Sequence, residues 1–109
     1  MLSIIDYILD LYPLEWLPYL QQEFDECGEA GVIIKHPDNK EIELDISILK
    51  DLNTVGIWII KTSEANIEID FSGFDYVFEQ NEIELLEQFL LDFRRTAVVR
   101  SKPSIEPSS

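Results

Sequence analysis

The stretch Glu41-Ile42-Glu43-Leu44-Asp45-Ile46 alternates carboxylates and aliphatics without a break. Only an extended strand puts its three acids on one side and its three aliphatics on the other. Ile67-Glu68-Ile69-Asp70-Phe71 repeats the pattern. Such strands require a sheet with one face in a core and the other face acidic. Ala30 to Lys35 reads as an apolar strand joined to the first alternating run through a His36-Pro37-Asp38-Asn39 turn, which makes a β-hairpin. Val55 to Lys61 is almost continuously apolar, as expected of a central strand. Thr62 to Asn66 reads as a turn, and Ser47 to Asn53 as either a helical turn or a loop. Phe74 to Phe78, after the Ser72-Gly73 break, reads as either a bulged continuation or a separate short strand.

Helical periodicity flanks these strands. Ser3 is the expected cap of a first helix, backed by Asp6, and Ile4, Ile5, Ile8, Leu9 and Tyr12 share one stripe. Pro13 ends that helix. Pro18 fits the first turn of a second helix, expected from about Leu17 to Cys27 and closed by Gly28. Asn81, with Glu84 three residues on, is the expected cap of a last helix striped by Ile83, Leu86, Leu90 and Phe93. The predicted fold is α+β: two N-terminal helices, a four- to five-stranded mostly antiparallel sheet and one C-terminal helix. Residues 1–100 form one domain in this reading, and 101–109 a flexible Ser/Pro-rich tail.

Composition narrows the function. A hydrophobic content of 46% sets the chain apart from acidic disordered sequences. Its formal net charge is −14, and residues 1–93 hold 21 acids against the four bases Lys35, Lys40, Lys50 and Lys61. Nucleic-acid binders need the opposite sign, because phosphate neutralisation dominates their affinity. The single Cys27 cannot close an intramolecular disulfide, and the N-terminus lacks the charge and apolar stretch of a secretion signal. Together with the lack of an apolar run of about 18–20 residues, these features predict a cytoplasmic protein.

No reaction machinery is legible. His36 is the one histidine, expected to be exposed in its turn, and Cys27 is expected to be a small apolar residue near a helix end. Zinc generally wants three or four clustered ligands, so no metal is expected. There is no G-x-S-x-G elbow and no glycine-rich phosphate loop, so neither a cofactor nor enzymatic activity is predicted. Among 22 acids, carboxylate pairs arise by chance.

The acidic strand faces are the remaining signal. They serve either as a solvated face that keeps strands from aggregating or as a surface for a basic protein. The imbalance of the whole body favours the second. The expected partner-binding residues are Glu41, Glu43, Asp45, Glu68, Asp70, Asp75 and Tyr76. Trp58 and Phe71 are assigned to the core, whereas Phe74, Asp75, Tyr76 and Phe78 form the expected exposed segment, suited to docking lysine and arginine.

In these features the chain resembles the small acidic immunity proteins of bacterial contact-dependent growth inhibition and related polymorphic toxin systems. The stretch from Ile67 through Phe78, followed by an acidic helix, is similar to a strand and aromatic turn in several such families, with Asp75 and Tyr76 where a histidine often stands. The resemblance implies a partner that is a basic toxin, commonly a nuclease, neutralised by occlusion of its cationic cleft. Opposite potentials would carry association toward about 10⁸–10⁹ M⁻¹s⁻¹ at low salt. Two alternatives stand beside it: a DNA-mimic or anti-restriction inhibitor with carboxylates at phosphate spacing, and a non-catalytic adaptor subunit that binds through its apolar N-terminal helices.

Overall fold

The computed structural model describes residues 2–61 and 74–99. Their elements are α1 (Ser3–Leu11), β1 (Tyr19–Gln21), β2 (Glu29–Ile34), β3 (Ile42–Leu49), β4 (Thr54–Lys61), β5 (Tyr76–Glu79) and α2 (Ile83–Thr96). The five strands form an antiparallel meander in the order β1-β2-β3-β4-β5. Both helices lie on one face of it. The α+β class and the C-terminal helix are as the periodicity predicted.

Alternate residues of the strands supply the core floor. Val32, Ile34, Leu44, Ile46, Ile48, Val55, Ile57 and Phe78 are wholly buried beneath Ile4, Ile5 and Ile8 of α1 and Leu86, Phe89, Leu90 and Phe93 of α2. Apolar burial on this face is the main stabilising term. Side-chain bonds to backbone carbonyls then fix the two helices to each other. Tyr12 donates its hydroxyl to the Leu90 carbonyl at 2.6 Å, Tyr7 to that of Glu87 at 3.3 Å, and Arg94 Nε donates to Leu11 at 3.1 Å.

The second N-terminal helix does not form. After Pro13 the chain makes a 3₁₀ turn at Leu14–Trp16 and then enters β1. Leu17, immediately before Pro18, has φ −116° and ψ 80°, consistent with the exclusion of helix from the residue preceding a proline. Leu17 and Leu20 reach the core, and Phe24 packs beside it, by way of a strand and a loop. Gly28 does take a left-handed φ of +78°, but in the β1–β2 connection rather than at a helix end. There the Asp25 carboxylate accepts from the N–H groups of Cys27 (2.8 Å) and Glu29 (3.0 Å), and these bonds hold its pKa below the usual range.

Helix starts are also displaced from the sequence reading. Ser3 is already helical, and Leu2, the residue before it, makes no side-chain cap. A 3₁₀ turn at Gln80–Glu82 precedes α2, and the cap there is Glu82 Oε1 accepting the Glu79 N–H at 3.1 Å, not Asn81. At the other end Ala97, φ 60°, closes α2 with its N–H on the Phe93 carbonyl. β3 runs on through Leu49 and turns at residues 50–53 into β4. The ambiguous Ser47–Asn53 segment is therefore half strand and half turn. The alternating run Ile67–Phe71, the turn at 62–66 and the tail at 101–109 lie outside the described residues.

Candidate protein interface

The hairpin registers determine which side chains share the helix-free face. Tyr19, Ile33, Asp45 and Trp58 pair in succession across β1 to β4 and make one row. Gln21, Gly31, Ser47, Gly56 and Val77 make the next, a row of mostly small residues. Glu43 and Ile60 stand on the other side of the first row. Ile33, Trp58, Ile60 and Leu49 are only half-buried, and Tyr19 and Val77 are 48% and 42% exposed. Among the described residues no helix covers them. A strand face with no core to make would ordinarily be polar.

Phe74 adds to this surface. It stacks on Trp58 with ring centroids 4.3 Å apart and planes 27° apart, and lies over Gly56. Gly56 has to lack a side chain for this: a Cβ there would lie 2.5 Å from Phe74 Cδ2 and closer still to Cγ and Cδ1. Gly31 is held to glycine from the backbone side, since its Cβ would approach the Ile46 carbonyl oxygen to 2.8 Å.

Two of the expected partner-binding acids are brought together on this face. Glu43 pairs with Lys35 across β2–β3 at 3.6 Å. Asp45 stands between Ile33 and Trp58, half-buried, and its carboxylate has no cation or hydrogen-bond donor among the described residues. Burial, and then the neighbouring Glu43 charge, push its pKa up. Glu41 lies exposed in the turn before β3, its N–H on Asn39 Oδ1 at 3.3 Å. Glu68 and Asp70 fall outside the described residues.

The remaining two have structural occupations. Asp75 Oδ2 accepts the Ile59 N–H at 2.6 Å, and its own N–H reaches the Ile57 carbonyl, so this residue closes the β4–β5 ladder. Tyr76 pairs with Ile57 and leans on Phe89 of α2 at 5.5 Å, on the helix-covered face. Phe78 is completely buried and does not belong to an exposed segment. Trp58, in turn, is on the helix-free face and not in the core. One residue of parity separates these assignments: β5 begins at Tyr76, which turns Tyr76 and Phe78 inward and Val77 outward.

His36 is likewise not the exposed turn residue it was expected to be. It is 3% exposed, with its ring 4.5 Å from that of Trp16 and 5.6 Å from that of Phe93. Nδ1 accepts the Asp38 N–H at 3.1 Å, which leaves Nε2 to donate to the Arg94 carbonyl at 3.0 Å. With Asn39, which donates to the Ala97 carbonyl at 2.9 Å, it satisfies the free end of α2. Both ring nitrogens are engaged, so His36 in this arrangement offers no lone pair to a metal or a substrate. Cys27 is exposed in the β1–β2 connection. No group of three or more His, Cys, Asp or Glu among the described residues is placed to hold a metal ion. No described helix is long and apolar enough to cross a membrane.

No protein-family model, curated protein or solved structure matches the chain.

Proposed function

We propose that this protein is a non-catalytic inhibitor of the immunity type, which binds a basic protein toxin and covers the toxin's cationic cleft with its helix-free sheet face. The observation that carries the reading is the composition of the Tyr19–Ile33–Asp45–Trp58 row, where partly exposed aromatic and aliphatic side chains flank a carboxylate with no counter-ion among the described residues. A face that served solubility alone would not leave Ile33, Trp58 and Phe74 partly exposed together. A mimic of duplex phosphates would carry carboxylates in an unbroken series, whereas here Ile33 and Trp58 interrupt them. Apolar anchors supply affinity after desolvation, and the net charge of −14 steers the encounter.

Growth rescue tests the reading. The product encoded next to this chain is expressed in cells with and without it, and any complex is measured at low and high salt. Rescue is expected, with association slowed tenfold or more by added salt. A neighbouring product that is not toxic, or toxicity unchanged by this chain, would overturn it.

A further inference from the structure

Beside Asp45 the row of small residues leaves a depression in the sheet. It is a cleft of about 70 Å³ over Gly31, bordered by Tyr19, Gln21, Asp25, Asp45 and Ser47. That is about the space of two water molecules. Most of its polar rim is already occupied. The Tyr19 hydroxyl donates to Gln21 Oε1 at 2.9 Å, Gln21 Nε2 donates to the Glu29 carbonyl at 2.9 Å, and Asp25 holds the Cys27 and Glu29 amides. Among the described residues Asp45 is the one half-buried charged group of the rim without a partner, beside the Ser47 hydroxyl. Lys35, the base in the neighbouring row, is paired with Glu43.

Resting on the proposed reading, we infer that one cationic side chain of the partner protein anchors the interface here. An arginine or lysine lays its aliphatic stem along Ile33 and Trp58 and brings its charged head to Asp45. Charge and shape both select this occupant. The carboxylate is flanked by apolar surface, so the visitor must be apolar along its stem and positive at its tip, which describes the two long basic side chains. A carboxylate partly withdrawn from water gains more from a cation than an exposed one does. The isolated folded chain carries Asp45 at a cost to its own stability. A planar guanidinium matches both oxygens of a carboxylate, so arginine is the better fit.

The probe is the monocationic peptide acetyl-Ala-Arg-Ala-amide, titrated at low salt into the ¹⁵N-labelled protein and followed by NMR. The expected result is that the largest shift changes fall on the Ile33, Asp45 and Ser47 amides and the Trp58 indole N–H. Asp45→Asn weakens binding at least fivefold, whereas Glu84→Gln, which removes an exposed acid of α2, leaves it unchanged. Asp45→Asn also raises Tm, which shows that the variant folds. Shifts centred on the helices, equal loss in the two variants, or a lowered Tm for Asp45→Asn would each overturn the inference. The test separates the site from the function. A toxin neutralised equally by wild type and Asp45→Asn removes the anchor and leaves the occlusion reading. Peptide bound at Asp45 by a chain that neutralises nothing leaves the anchor and removes the occlusion reading.

Discussion

Gly56→Ala perturbs the helix-free face at the point where its aromatic pair is assembled. The new methyl group would be placed within the Phe74 ring, 2.5 Å from Cδ2. Carbon atoms pack at about 3.5–4.0 Å, so the ring must lift by about 1 Å or swing away. Either movement breaks the 4.3 Å stack on Trp58. The stack contributes about 0.5–1.5 kcal/mol beyond its buried area. Exposing about 40 Å² of ring adds a further loss of about 1 kcal/mol. Against these, removing a glycine from a strand interior returns about 0.5–1 kcal/mol. The expected net loss is about 1 kcal/mol, read as a lower urea midpoint at unchanged slope. Trp58 emission should shift to the red, with Trp16, half-buried against His36 on the other side of the sheet, as the unaffected background. The decisive measurement is the same substitution in a Phe74→Ala background. With the ring gone, only the backbone gain remains, so Gly56→Ala should change sign and stabilise. An equal loss in both backgrounds would refute the argument, since the clash would then be with some other group.

Three further outcomes follow from the same geometry. Asp45→Asn should raise Tm at pH 7, and its advantage should shrink as the pH falls. The raised pKa of Asp45 means the folded state binds its proton before the unfolded state does, so wild type gains stability on acidification through the interval between the two values. Thermal melts at pH 7 and pH 4.5 check this, and a gap that widens toward acid would contradict it. Asp75→Ala should cost about 1 kcal/mol in urea unfolding by leaving the Ile59 N–H without its carboxylate, whether or not a partner is present. Tyr12→Phe should cost about 1 kcal/mol, because it removes the buried bond to the Leu90 carbonyl while keeping the ring; an unchanged midpoint would show that the bond carries no net stability.

What the sequence revealed and what it concealed can be traced to periodicity. Where alternation was strict, as in Ile42 to Ile46, it assigned both faces of the strand correctly. Leu86, Leu90 and Phe93 likewise marked the inner stripe of α2, widened by Phe89, whereas Ile83 is only half-buried at its start. Leu17, Leu20 and Phe24 have helical spacing by coincidence, and the local cost of Leu17 preceding Pro18 outweighed it. A stronger weight on that dipeptide would have found the extended chain. The burial of His36 had no local signal, because it depends on the Arg94 carbonyl 58 residues away.

The misassignment of Trp58 has a consequence for function. Val-Gly-Ile-Trp-Ile-Ile is apolar at both parities, and such a run reads as a strand buried on both faces. β4 does bury Val55 and Ile57 beneath the helices. Its other parity, Trp58 and Ile60, belongs to the face that the described elements leave open. Charge alone could not separate solubility from binding, since acids on a strand face serve either. An apolar parity opposite the core supports the proposed binding reading, because exposing it costs free energy that a covering surface would recover. On the proposed reading, with Asp45 unpaired among the described residues, that surface is expected to be cationic at its centre and apolar around it. A partner acting through general electrostatic attraction would be indifferent to Ile33→Ser, whereas the anchored geometry requires Ile33→Ser to weaken the complex at high salt as much as at low.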